Sequence, residues 1–249
     1  MNVLIACEES QRVCMEFRKL GHRAFSCDIQ ECSGGHPEWH IKGDVLPLLN
    51  GSCTFTTSDT HTHTQEGQWD LIIAHPPCTY LSHVATRHHS LNCTPLEKIN
   101  SRTVERIESM MFFMQFVNAK CDHIAIENPV GVMNTCYRKP DQIIHPYMFA
   151  ESENDTENYV TKGTCLWLKG LCTLVGNDLE KPDNEKLFGR TAGGKVLNWE
   201  EAMGGGNRSK SRSKTFQGIA EAMAEQWSEY LKSEQEYDVI GKDQQYKLF

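Results

Sequence analysis

The alternation of short apolar runs with helix-like stretches is the feature that most limits how this chain can fold. Apolar runs suited to buried strands occupy residues 2–7, 24–29, 69–78, 123–129 and 164–170, and a shorter element covers 39–49. Helical patterns cover residues 10–22, 103–119 and 216–232. Strands that alternate with helices predict an α/β protein with a doubly wound, mostly parallel sheet and helices on both faces.

The predicted helices carry recognisable apolar faces and one stop signal. In residues 103–119 the predicted face consists of Val104, Ile107, Met111, Met114, Phe116 and Val117. In residues 216–232 it consists of Ile219, Met223 and Trp227. Gly21 stands where the first helix should end. Residues 50–68 are polar and turn-rich, which predicts a surface loop or insertion, and residues 233–249 predict a polar tail that frays.

Composition limits the partners and the compartment. The chain has 249 residues, enough for one large domain, and a net charge of −8, so any nucleic-acid contact must be local. The best local candidate is the segment 206–214, with Arg208, Lys210 and Arg212. Its eleven cysteines form no CxxC pair, and no signal peptide or long apolar run is present. These features predict a cytoplasmic protein with no membrane contact.

Polar or reactive residues lie at the carboxyl ends of five of the predicted strands. They are Cys7-Glu8-Glu9, Asp28, Asp44, Cys78 and Glu127-Asn128. In doubly wound sheets ligands bind beyond the carboxyl ends of the strands, so these residues predict one shared crevice. Polar residues are common at strand ends, which explains any one of them, but not a cysteine and a glutamate that each adjoin prolines.

The first turn favours a cofactor without phosphate. The segment "IACEESQRV" contains no glycine and is acidic, whereas a pyrophosphate site needs a glycine-rich turn. Asp28 stands where a carboxylate binds ribose hydroxyls. S-adenosylmethionine fits this pattern, and the predicted cofactor-binding residues are Ala6, Cys7, Glu8, Glu9, Asp28, Asp44, His75 and Pro76. The alternative role for the two glutamates is to favour the start of a helix, more so for Glu9 than for Glu8.

Two motifs carry a resemblance to a known family. The chain has "PPC" at the end of one strand and "ENP" at the end of the next, and it resembles the small phage and prophage members of the DNA cytosine-5 methyltransferase family. The resemblance covers nearly all of residues 3–232 and implies a Rossmann-like methyltransferase domain over residues 1–232. It implies that the thiolate of Cys78 adds to C6 of a flipped cytosine, that Glu127 bonds the ring at N3, and that Asn128 fixes the loops.

Two departures from the family pattern leave the substrate open. The usual Gln-x-Arg-x-Arg is absent, and alignment on the strand at 164–170 puts Lys162 where the first arginine would contact O2 of the base. A solvated lysine beside a turn is the alternative. Only about 45 residues, 170–215, are left for substrate recognition, fewer than a standard domain.

The predicted partner is DNA, contacted by Arg87 together with the basic residues of the segment 206–214. RNA or a free pyrimidine nucleotide is the alternative substrate, and an inactive nucleic-acid- or cofactor-binding relative is the alternative function. The histidines of "HTHT" (61–64) lack the ligand spacing of a metal site, so no metal is predicted.

Overall fold

The computed structural model describes residues 1–202 and 214–245, with residue 200 and residues 235–245 described by their backbone alone. Within these residues a seven-stranded sheet stands beside a two-stranded hairpin. The strands are, in chain order, β1 (Asn2–Ala6), β2 (Arg23–Asp28), β3 (His40–Lys42), β4 (Cys53–Thr56), β5 (Thr62–Gln65), β6 (Leu71–Ala74), β7 (Ile124–Pro129), β8 (Gln142–Ile144) and β9 (Thr164–Lys169).

The large sheet has the order β3-β2-β1-β6-β7-β9-β8. The first five of these strands pair in parallel, whereas β9 runs antiparallel to both of its neighbours. The chain moves outward from β1 to β3 and then returns to the other side of β1 with β6, so the order reverses between β1 and β6. Such a reversal opens a ligand crevice beyond the carboxyl ends of the strands. The predicted α/β class and the mostly parallel sheet are confirmed, while the reversed strand was not predicted.

The helices surround the sheet. They are α1 (Arg12–Lys19), α2 (His83–Thr86), α3 (Leu96–Val117), α4 (Met133–Cys136), α5 (Asn184–Phe188), α6 (Trp199–Ala202) and α7 (Gln217–Gln245). Short 3-10 turns cover Pro37–Trp39, Leu46–Leu48, Arg87–His89 and Pro146–Phe149. Gly21, with φ of 81°, follows α1 as the sequence predicted. Within the described ranges, no helix has both the length and the apolar character needed to cross a membrane.

Apolar layers cover both faces of the sheet. Strand β1 contributes to both, since Val3 and Ile5 pack with α1 and α7 while Leu4 and Ala6 pack toward α3. This is why β1 is a continuous apolar run rather than an alternating one. The predicted apolar face of α7 is confirmed, because Ile219, Met223 and Trp227 are all buried.

The predicted apolar face of the helix now called α3 is wrong in part. Val104, Ile107 and Met111 are 56%, 52% and 61% exposed, whereas Phe113 and Phe116 are fully buried. Aromatic rings bury more area than aliphatic side chains, so they take the side of the helix that faces the sheet. The helix therefore leaves an apolar strip toward solvent over its middle turns.

Two further segments differ from the prediction. Residues 50–68 form the hairpin β4–β5 instead of a loop, and Phe55 packs edge-on against Phe25 with ring centroids 5.0 Å apart. The many threonines made this segment look like a polar loop, although it contains two strands in which Phe55 and Gln65 point inward. The segment after Ser233 continues α7 to Gln245 instead of fraying, since its Glu, Gln and Lys residues favour helix.

Removal of the Trp227 side chain tests how α7 is anchored. Trp227 is fully buried, and its indole nitrogen donates to the Cys172 carbonyl at 3.0 Å. We expect Trp227→Ala to lower the free energy of unfolding by about 3–5 kcal/mol. Trp227→Phe keeps most of the apolar volume and loses only the hydrogen bond, so about 1–2 kcal/mol is expected. Urea unfolding followed by circular dichroism measures both, and equal losses would contradict an anchor made by packing.

Candidate active site

The predicted strand ends meet at one edge of the sheet. Strands β1, β2, β3, β6 and β7 are adjacent and parallel, so the residues that follow them share the carboxyl edge. At the centre of this edge the backbone N–H of His75 donates to the carbonyl of Ala6 at 2.9 Å, which ties the end of β6 to the end of β1. The crevice at the strand-order reversal therefore begins at Ala6 and His75.

The turn that carries Cys78 is held by a side chain from the neighbouring strand. Asn128 is buried, and its amide nitrogen donates to the Pro76 carbonyl at 2.7 Å. The Cys78 carbonyl accepts hydrogen bonds from the N–H groups of Leu81 and Ser82 at 3.1 and 3.0 Å, which closes the turn. The Cys78 residue itself is exposed. The cysteine is therefore open to a ligand while the backbone beneath it is fixed, the role that the resemblance implied for Asn128.

The loops that follow β6 and β7 are joined through their backbones. Ser82 forms an isolated antiparallel bridge with Gly131, and the N–H of Val132 donates to the Leu81 carbonyl at 2.9 Å. A Cβ on Gly131 would lie only 2.0 Å from the Leu81 oxygen. Only glycine allows this approach, so Gly131 couples the Cys78 turn to the loop beyond Glu127. Nothing in the sequence pattern pointed to Gly131.

His75 and Glu127 form a buried ion pair between β6 and β7. The Nδ1 of His75 lies 2.9 Å from the Oε2 of Glu127, and their side chains are 8% and 15% exposed. Burial disfavours the imidazolium, but the hydrogen bond and the charge of Glu127 raise the pKa of His75. The charge of Glu8 acts in the same direction. Burial also opposes ionisation of Glu127, but His75 and then Lys162 outweigh it and lower its pKa. Both pKa shifts favour the charged form of the group concerned.

Lys162 reaches this pair because β9 is reversed. An antiparallel strand begins where its parallel neighbours end, and Thr164, the first residue of β9, pairs with the last residue of β7. Lys162 lies just before it, close enough for its charge to act on Glu127. Its amine lies 5.8 Å from the ring centroid of Trp199 and 5.5 Å from that of Phe216. The lysine thus lies between the carboxylate and an aromatic pair.

Acidic groups surround the crevice on the side of β1, β2 and β3. Cys7 follows β1 in a left-handed conformation with φ of 61°. Its burial, and then the charges of Asp28 and Asp44, raise the pKa of its thiol. Asp28 accepts a hydrogen bond from the N–H of Gln30 at 2.9 Å, which shapes the turn after β2. Cys7, Asp28 and Asp44 therefore lie near one another, as the predicted cofactor site requires.

Glu8, in the first turn, has the alternative role that the sequence offered, at the start of a helix. Glu8 is buried and accepts hydrogen bonds from the N–H groups of Val13 and Cys14, at 2.7 and 3.2 Å. It therefore caps the start of α1, a role that the sequence assigned more readily to Glu9. Burial raises the pKa of Glu8. Glu9 is also buried, beside this turn.

Basic side chains on α3, which were not predicted as site residues, adjoin the Cys78 turn. Lys98, Arg102 and Arg106, here called the basic stripe, recur every four residues on α3 and so lie on one side of the helix. The Arg106 Nε donates to the Tyr80 carbonyl at 3.0 Å, and the Arg102 guanidinium lies 5.1 Å from the Tyr80 ring centroid. The four-residue spacing is the signal that would have revealed the stripe from sequence.

The basic stripe and the turn Arg87–His89 form a positive pocket. A cavity of about 350 Å³ lies between them, and its lining includes His88, Lys98 and Arg102. Among the described residues, no ion pair involves the stripe or Arg87. Desolvation and then the charges of Arg106 and Arg102 lower the pKa of His89. The predicted contact Arg87 therefore belongs to a cluster of positive charge suited to an anion.

Three of the predicted substrate contacts lie outside the described residues: Arg208, Lys210 and Arg212. In the "HTHT" segment, His61 pairs with Asp59 at 2.7 Å, and His63 packs against Phe25. In the part of the chain that the structure describes, no three His, Cys, Asp or Glu side chains form a group able to hold a metal ion.

The fold and the site together define an α/β protein with a mostly parallel sheet and a cysteine–glutamate site at its carboxyl edge. Compared with models of known protein families and with curated proteins, the chain matches none of them. The function of the protein is therefore inferred from the geometry of this site and from the chemistry of its residues.

Substitution of Gly131 tests the coupling of the two loops. Gly131→Ala forces a Cβ against the Leu81 carbonyl, so we expect a loss of about 1–3 kcal/mol in the free energy of unfolding. We also expect faster alkylation of Cys78 by iodoacetamide, mapped by mass spectrometry, because the turn is displaced. Gly163→Ala is the control, since its Cβ would make only ordinary contacts, 3.5 Å from Val130 at the nearest. Equal effects of both variants would contradict the coupling.

Proposed function

We propose that the protein is an S-adenosylmethionine-dependent methyltransferase that transfers a methyl group to C5 of cytosine in DNA through a covalent adduct of Cys78. The observation that carries the proposal is the coupling of the two loops at the sheet edge. Asn128, near the end of β7, and Gly131, just beyond it, hold the turn that carries Cys78, which supports the assignment of this exposed thiol and of the Glu127 carboxylate to one site.

The residues of the site have complementary roles in this chemistry. C5 of cytosine is a weak nucleophile, and addition of the Cys78 thiolate to C6 turns the ring into an enamine-like species that attacks a methyl group. Glu127 bonds the ring at N3 and offsets the charge that develops there. In this proposal Lys162, whose charge acts on Glu127, contacts the O2 of the same ring. Loss of the C5 proton then expels the thiolate.

The crevice fits S-adenosylmethionine by the chemistry of its acceptors. This cofactor carries a positive sulfonium, an amino group and ribose hydroxyls but no phosphate. Asp28 and Asp44 supply carboxylates around Cys7, and the turn after β1 has no glycine with which to cradle a phosphate. Glu8 is committed to the α1 cap, which leaves the recognition of positive charge to the other acids. When bound, the cofactor supplies the electrophilic methyl group.

The positive pocket favours a nucleic-acid substrate. The whole protein has a net charge of −8, so a local cluster of cations beside the Cys78 turn stands out as a place for backbone phosphates. The target base must leave the stack, because C6 cannot be reached inside it. A cytoplasmic location, in a bacterial host cell if the protein is phage-encoded, goes with this proposal.

Two alternative functions remain. The small segment left for recognition, residues 170–215, favours the same chemistry on RNA or on a free pyrimidine nucleotide as the second candidate. An inactive binding relative is the third, and an exposed Cys78 beside an ionised Glu127 counts against it.

Methyl transfer from labelled S-adenosylmethionine tests the nucleophile. With duplex DNA as acceptor we expect Cys78→Ser to lose at least about 1,000-fold in rate, because an alcohol ionises far less than a thiol at neutral pH. Cys136→Ser is the matched control, since Cys136 is also an exposed cysteine and lies outside the proposed machinery. If Cys78→Ser transfers label to DNA as fast as the wild-type protein does, the covalent mechanism is wrong. Transfer to RNA or nucleotides alone would favour the second candidate.

The salt dependence of DNA binding tests the basic stripe. We expect Arg102→Gln to weaken binding to DNA of any sequence and to reduce the slope of log affinity against log salt by about 1. Fluorescence anisotropy with labelled duplexes measures both. Arg190→Gln is the control, because Arg190 is exposed and already paired with Glu185. A slope unchanged by Arg102→Gln would show that phosphates bind elsewhere.

A further inference from the structure

His75, which the sequence assigned to the cofactor-binding residues, contacts the carboxylate of the proposed site. Its Nδ1 lies 2.9 Å from the Oε2 of Glu127, and both side chains are largely buried. Its other ring nitrogen, Nε2, is buried with no hydrogen-bond partner among the described residues. The ring therefore has one described partner, and that partner is the carboxylate of the proposed site.

This contact bears on a problem in the proposed chemistry. A carboxylate that offsets charge at N3 must supply a proton as the thiolate adds to C6, but an ionised Glu127 has none to give. Burial alone would keep Glu127 protonated, and it is His75, with Lys162, that holds its pKa low. The group nearest to supply that proton is the ring of His75, since its raised pKa favours the protonated form and its Nδ1 lies one hydrogen bond away.

We propose that His75 is a positioning residue that acts through Glu127, and that the hydrogen-bonded pair stores the proton which passes to N3 of the substrate ring. This inference rests on the proposed function, because it assigns the proton source for that reaction.

The proton transfer balances within the pair and the ring. As the sulfur of Cys78 bonds to C6, the electron pair of the C5–C6 double bond moves through the ring toward N3. N3 takes a proton from Glu127, and Glu127 takes the Nδ1 proton of His75. The ring is then neutral at N3, Glu127 is again a carboxylate, and His75 is a neutral imidazole. When the thiolate leaves, the same proton returns to the pair.

Three charged groups face the His75 ring, each from a different element. Glu127 lies in β7, Glu8 lies in the turn after β1, and Lys162 lies before β9. The two carboxylates stabilise the imidazolium and raise its pKa, while Lys162 opposes them. As pH rises through the raised pKa of His75, the stored proton is lost and adduct formation should decline.

The pH profile of tritium release from duplex DNA with [5-³H]cytosine measures adduct formation. We expect the wild-type rate to fall at alkaline pH. His75→Asn keeps a donor near the Nδ1 position but leaves Glu127, whose pKa Lys162 still lowers, as the only group of the pair that can hold the proton. We therefore expect the fall in rate to begin about one pH unit lower, with about tenfold less activity just above that point. His61→Asn is the matched control, because His61 is 76% exposed and lies on the hairpin.

The outcomes separate the two proposals. No release by the wild-type protein overturns the proposed function and the proton store with it. Release with an identical pH profile in His75→Asn overturns only the role of His75, as does an equal loss at every pH, which indicates a structural contact. If His75→Asn does not fold, NMR titration of the His75 ring in the wild-type protein decides. A pKa above 6.5 that falls in Glu127→Gln is expected, and a pKa at or below 6.5 overturns the pair.

Discussion

The parallel pairing of β6 with β7 is the interaction on which the rest of the site depends. Its register aligns Ala74 with Ile126, so the residues that follow are neighbours as well. His75 then meets Glu127, and the Pro76 carbonyl meets the amide of Asn128. A shift by one residue would separate both pairs, because successive side chains point to opposite faces of a sheet. The geometry of the site is thus a direct product of strand register.

The charges of the molecule divide along the carboxyl edge of the sheet. Acidic groups gather beyond β1, β2 and β3, cations gather on the stripe of α3, and the His75–Glu127 pair with Lys162 lies at the edge. In the proposed reaction, the acidic groups would face the positively charged cofactor and the cations would face the anionic backbone of the substrate. Since burying a charge is costly unless it is paired, the central groups stabilise one another in place.

Much of the frame could be predicted from sequence, because apolar runs and their polar ends depend only on local pattern. The parallel sheet and the place of Cys78 and Glu127 on its edge follow from that reasoning. The reversed strand β9 could not be predicted, since its apolar run is equally suited to either direction. The same limit applies to His75 and Gly131, whose partners lie across strands. Two other predictions were wrong because they relied on composition. The threonine-rich segment forms a hairpin, and aromatic residues of α3 face the sheet in place of the predicted aliphatic ones.

The packing of α7 against α1 has a consequence for the order in which the chain folds. Gln217, at the start of α7, donates to Glu16 of α1 across 201 positions of sequence, and β1 pairs with the distant β6. Non-local pairing of this kind slows folding, because long loops must close before any contact forms. Until α7 is in place, the face of the sheet that α1 and α7 cover remains open, and the thiol of Cys14, which is buried in the folded protein, stays accessible.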